Sequence, residues 1–158
     1  MDKGRHHVFC GSQTCRNCYQ GFRPGNAKSV SSPHQEVRDK EEESEPLDQD
    51  TGIRYRSCVA RLNYLAQDRT DIQFAVKDLC NIMSSPTSKD WATLIRIARC
   101  LKGHREVHLW FKYQKAYQEI SVWTDSDHTG CHRTRKSTSG GLIMLGNIWL
   151  RHGPRIKL

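Results

Sequence analysis

The sequence predicts an α+β fold, with a disordered N-terminal tail, three short helices and then the first strands of a sheet. Three observations predict it. Residues 1–50 show no sustained hydrophobic period and are dominated by Gly, Ser, Pro and charge. Residues 51–103 carry apolar side chains at helical spacing. Beyond Gly103 the period shifts to two, as in a strand.

Composition sets the limits. The 158 residues suffice for one ordinary domain, but only 36% are hydrophobic and the mean hydropathy is −0.74, so part of the chain is expected to stay outside any core. No apolar run is long enough to span a membrane. The opening Met1-Asp-Lys-Gly-Arg-His-His7 leads into no hydrophobic signal core, so no membrane partner and an intracellular location are expected.

Charge is unevenly spread. Residues 1–50 hold 7 Lys/Arg against 9 Asp/Glu, and residues 51–158 hold 18 against 8. The part with a folding pattern is thus strongly basic, which favours nucleic acid as a partner. The expected divisions are an acidic linker over 1–50, a helical region over 51–105 and a strand-rich region over 106–158.

In the first helix Tyr55, Cys58, Val59, Leu62 and Leu65 share one face. A break follows at Gln67-Asp-Arg-Thr70. Ile72, Ala75, Val76, Leu79 and Met83 mark a second amphipathic helix, with Thr70 or Asp71 as N-cap and Ser84-Ser-Pro86 as its end. The third helix opens with Thr87-Ser-Lys-Asp90, which has capping-box spacing with Asp at the Glu position. Trp91, Leu94, Ile95, Ala98 and Leu101 form its apolar stripe, and that stripe, Trp91 included, is read as core packing. Gly103 is the expected C′ residue, and Arg99 and Lys102 lie where the helix dipole favours cations.

Val107, Leu109, Phe111 and Tyr113 alternate with His108, Trp110 and Lys112 and predict a strand. Glu119–Asp125 predicts another, and Gly140–Gly146 a buried one; the last two would form an antiparallel hairpin with a long basic loop. Residues 147–158 resemble neither strand nor helix.

Asp125 is the most informative residue. It stands where a strand ends and a polar loop, Ser126-Asp-His-Thr-Gly130, begins. A strand end holds a carboxylate rigidly while the loop opens it to solvent, which is what a metal-dependent phosphodiester-cleaving site needs. Spacing alone favours Asp125 and Asp127 as ordinary turn carboxylates at a hairpin exit.

Six strings, in order, resemble the Pol polyprotein of Ty1/copia-type LTR retrotransposons, where the reverse transcriptase passes into its ribonuclease H domain. They are Tyr55-Arg-Ser-Cys-Val-Ala-Arg-Leu-Asn-Tyr-Leu65, Asp71-Ile-Gln-Phe-Ala-Val76, Met83-Ser-Ser-Pro-Thr87, Leu101-Lys-Gly103, Thr124-Asp-Ser-Asp127 and Arg135-Lys-Ser-Thr-Ser-Gly140. The resemblance covers about Ala27 to Gly146. It implies that the helices are the connection after the polymerase palm and fingers, and that the strands begin an incomplete RNase H-like fold. It also implies two-metal hydrolysis of the RNA strand of an RNA–DNA hybrid, with Asp125 at the position that ligates both Mg²⁺ ions. The polymerase's Tyr-x-Asp-Asp motif does not occur here. The chain departs from the family at Ile148-Trp-Leu-Arg-His-Gly-Pro154 and at His128, and the glutamate and aspartate that complete the site are absent. The expectation is a catalytically inactive fragment. It would hold no Mg²⁺ tightly, because Mg²⁺ relies on several oxygen ligands. It would bind RNA–DNA hybrid or other nucleic acid weakly and without sequence preference, and a longer Pol protein is a candidate partner.

Arg133, Arg135 and Lys136 could meet a nucleic-acid backbone or simply be a solvated loop. Two other functions stay open: a non-catalytic basic nucleic-acid-binding protein, and a zinc-binding interaction module built on His6, His7, Cys10, Cys15 and Cys18. The spacing of those cysteines matches no zinc finger cleanly, and an unstructured leader is the preferred reading. His128, Cys131 and His132 are read as exposed loop residues. Cys58, Cys80 and Cys100 are read as small buried apolar residues, reduced in an intracellular compartment.

Overall fold

The computed structural model describes residues 6–9, 27–34, 44–111, 114, 119–126, 128 and 137–156. Its elements run β1 (His6–Phe9), α1 (Gln49–Leu65), α2 (Gln73–Cys80), α3 (Ser88–Gly103), β2 (His108–Phe111), β3 (Ile120–Ser126), β4 (Thr138–Leu145) and β5 (Ile148–Ile156). The α+β class holds. The chain divides into two compact units, one of Phe9–Val107 and one of Met1–Val8 with His108–Leu158.

The first unit is a three-helix core. Helix α1 starts two residues earlier than the periodicity marked, because Asp48 caps it. The Asp48 carboxylate accepts from the Thr51 N–H at 3.0 Å, and this bond holds its pKa below the usual carboxylate value. The expected face of α1 is the buried one: Tyr55, Cys58, Val59, Leu62 and Leu65 all lie inside. Tyr55 brings a hydroxyl into this core and satisfies it on the Leu79 carbonyl of α2, at 3.1 Å.

Helix α2 begins at Gln73, and neither Thr70 nor Asp71 caps it. Ile72 takes the N-cap position without a side-chain bond. Asp71 cannot cap because both of its oxygens are held by Arg69. Its last helical residue is Cys80; Asn81–Ser84 continue as turns, and Met83 still packs on the core.

Helix α3 opens as expected. One Asp90 oxygen accepts from both the N–H and the hydroxyl of Thr87, each at 2.8 Å, in a capping box. Two expectations fail further along. The buried stripe is Leu94, Ile97, Ala98 and Leu101 with Cys100, while Ile95 stays half-exposed. Gly103 is the last helical residue and not a left-handed cap, and His104 closes the helix. At Gly103 a segment lies along this end of α3. A Cβ on Gly103 would stand 3.0 Å from Ser29 Cβ, so glycine serves a close approach.

Besides β1, which pairs with β2, two stretches within the expected N-terminal tail have defined contacts. Residues 27–34 lie on α3. Residues 44–48 lead into α1, where Leu47 N–H donates to Pro86 O (3.0 Å), Ser88 N–H donates to Glu45 O (2.9 Å), and Pro46 bridges Thr87. Residues 10–26 and 35–43 lie outside the described residues.

In the other unit β1 and β2 form a two-stranded sheet, and β3, β4 and β5 a three-stranded one in that order. The β3–β4 hairpin is antiparallel and in the expected region, running from Ile120↔Leu145 to Ser126↔Ser139. The reading of 147–158 as neither strand nor helix is corrected, because Ile148–Ile156 pair along β4 with a bulge at Ile143/Met144. A two-residue turn, Gly146-Asn147, brings them back, and Gly146 takes φ 58°, a left-handed value glycine adopts without strain. Gln114 clamps this turn, donating to Leu145 O (2.9 Å) and accepting from Asn147 N–H (2.6 Å). Pro154 is tolerated because β5 is an edge strand.

Candidate metal and nucleic-acid site

Asp125 lies in the last turn of pleat of β3, one residue from its end, directly opposite Gly140 of β4. Strand alternation puts it on the same face as Ser121 and Trp123. Its side chain is exposed, as is every residue of β3. One carboxylate oxygen accepts from the Ser126 N–H at 2.8 Å, which fixes the carboxylate relative to its own strand. Among the described residues, chain neighbours aside, nothing lies within 4 Å of where a Gly140 Cβ would stand.

This geometry gives a rigid, solvent-facing carboxylate at a strand end. It does not by itself give a metal cage. Among the described residues no three of His, Cys, Asp and Glu gather as ligands, and a Mg²⁺ site draws on several oxygens. Asp125 alone therefore does not fit the ion that the resemblance implies.

Asp127, Arg133, Arg135 and Lys136 lie outside the described residues, as do Cys10, Cys15, Cys18, Cys131 and His132. His6 and His7 fall in β1, and His128 is exposed just past β3. The thiols of Cys58, Cys80 and Cys100 are free, and burial pushes all three up from the ordinary value. A raised thiol pKa favours the protonated, packing form. Among the described residues no helix is long and apolar enough to cross a membrane.

Sequence reasoning missed two polar features. Arg69 is fully buried, in the turn between α1 and α2, with its guanidinium on Asp71. Arg99 and Lys102 hold the backbone of residues 27–28. The pairing of Arg69 with Asp71 two residues on was a possible signal for the first; nothing local marked the second.

No family model matches the chain, and no solved structure matches it. Curated proteins do. Over 93 residues the chain is 32% identical to the retrovirus-related Pol polyprotein from transposon RE2 of Arabidopsis thaliana and 33% identical to that from transposon RE1, in each case over 59% of this chain and 6% of the relative. The chain is homologous to copia-type retrotransposon Pol polyproteins. An uncharacterized mitochondrial protein of the same plant is 37% identical to this chain over 92 residues, covering 58% of this chain and 38% of that protein. The chain thus spans well under half the length of each of these curated relatives.

Proposed function

We propose that these residues are a piece of a copia-type Pol polyprotein, in which the reverse transcriptase connection (51–105) passes into the start of a ribonuclease H-like domain (106–158). The observation that carries the reading is the placement of Asp125: an exposed carboxylate at the end of the first strand of an antiparallel meander. The helical region supports it, since the strings resembling the family fall on α1, on the start of α2, in the turn that leads into α3 and on the last turn of α3. In this reading Asp125 occupies an ancestral metal-ligand position, and hydrolysis of the RNA in a hybrid requires further carboxylates to join it. The chain's own contribution is to hold one carboxylate at a strand end and to attract a polyanion. Its basic residues, Arg133, Arg135 and Lys136 among them, meet backbone phosphates without reading bases.

Purified chain incubated with an RNA–DNA hybrid in Mg²⁺ or Mn²⁺ is expected to leave the RNA intact. Cleavage that vanishes in Asp125→Asn would show a complete site and overturn the proposal of inactivity. Binding to the same hybrid should fall steeply with salt, and R133A/R135A/K136A should flatten the slope by up to about 3 charges' worth. A salt-insensitive, sequence-selective complex would overturn the backbone-contact reading.

A further inference from the structure

Residues 27–34 are strapped across the C-terminal half of α3. Arg99 and Lys102, three residues apart and so on one side of the helix, both turn onto this strap. Arg99 Nε donates to the Lys28 carbonyl at 2.7 Å, and Lys102 Nζ donates to the Ala27 carbonyl at 3.0 Å. Between them the Cys100 thiol lies 3.8 Å from the Ser31 carbonyl. Gly103 lets Ser29 pack against the helix backbone. At the far end His34 meets the edge of Phe74, ring centres 5.4 Å apart.

The strap is polar, Ala27-Lys-Ser-Val-Ser-Ser-Pro-His34, and its Val30 is only half-buried. Two of the bonds that tie it to α3 run from a cation to a carbonyl. A peptide carbonyl is a neutral acceptor. A phosphate oxygen carries charge, so a guanidinium or ammonium meets it as a full ion pair and not only as a donor to a dipole. The sequence just after the strap, Gln35–Glu45, holds six carboxylates against two cations.

We infer that Arg99 and Lys102 form a phosphate-binding strip on α3, covered by residues 27–34, and that a nucleic-acid backbone displaces this cover. The inference rests on the nucleic-acid reading above but uses a different surface. The free chain would bind less tightly than its basic charge allows, because the strap must leave first.

The test uses the full chain and a labelled single-stranded oligodeoxynucleotide, with anisotropy read across a salt series. Gly103→Ala places a methyl against Ser29 and loosens the strap while leaving the core untouched. It is expected to tighten binding by ~3-fold. R99A/K102A is expected to lower the salt slope by about 1.4, and in that background Gly103→Ala should add nothing. Amide exchange at residues 28–31 should rise when oligonucleotide is added. Unchanged affinity in Gly103→Ala, a full slope in R99A/K102A, or undiminished protection of 28–31 in the complex would each overturn the inference. If R133A/R135A/K136A loses binding while R99A/K102A keeps its full slope, the strip fails and the nucleic-acid reading stands. If the wild type binds nothing at low salt with its helical signal intact, both fail.

Discussion

Asp71 grips the guanidinium of Arg69 with both carboxylate oxygens, at 2.8 Å from Nε and 2.7 Å from Nη2, and Arg69 is completely buried. The Asp71 side chain stays one-third exposed. The pair sits in the turn between α1 and α2, and Nη1 reaches towards the Arg105 carbonyl at 3.5 Å, beyond the end of α3. A buried cation needs its partner, because an unpaired charge in a protein interior costs several kcal/mol.

Asp71→Asn should therefore destabilise the helical unit by about 3 kcal/mol, by stranding the Arg69 charge. Replacing both, as R69M/D71N, should recover much of that loss. Urea denaturation followed by helical circular dichroism measures both. A double variant as unstable as Asp71→Asn would show that Arg69 matters through its bonds to the backbone and not through the ion pair.

Gly146→Ala should weaken the β4–β5 turn, since a left-handed φ costs a residue with a Cβ roughly 1–2 kcal/mol. Amide exchange in β4 and β5 should accelerate, while the helices of the other unit keep their protection. Equal acceleration in α1–α3 would show that the two units unfold together.

Three thiols give a pH dependence, two of them buried (Cys58 and Cys100) and one half-buried (Cys80). Burial raises the pKa of Cys58, Cys80 and Cys100 above the ordinary thiol value of 9.0, so the folded chain holds these protons longer than the unfolded one. Where the folded state binds more protons, stability falls as pH rises. The contribution of these thiols is fully present below pH 9.0 and is lost as pH climbs through their folded values. Denaturation midpoints should drop on the alkaline side of that value, and C58A/C80A/C100A should flatten the drop. An equally steep drop in that variant would assign the alkaline loss to other groups.

The helical core was legible because its signal is local. Tyr55, Val59, Leu62 and Leu65 repeat at the helical period, and Thr87 with Asp90 announces where α3 begins, whatever else the chain does. Strands β3 and β4 were legible for the same reason, and with them the place of Asp125 at a strand end. β5 was missed because Arg151, His152, Gly153 and Pro154 break the alternation, and its strand form comes from pairing with β4.

Sequence by itself determined which faces of the helices are apolar, where α3 starts and where the exposed carboxylate stands. Tertiary structure alone decided that Arg69 is buried, that Ile97 and not Ile95 faces the core, and that Gly103 serves an approach and not a cap. It also set residues 27–34 on α3, through a bond between Lys102 and Ala27 that joins positions 75 apart. The physical reason is range. Periodicity and capping act within a turn or two of chain, whereas a buried charge or a docked strap depends on what the fold brings next to it from far along the sequence.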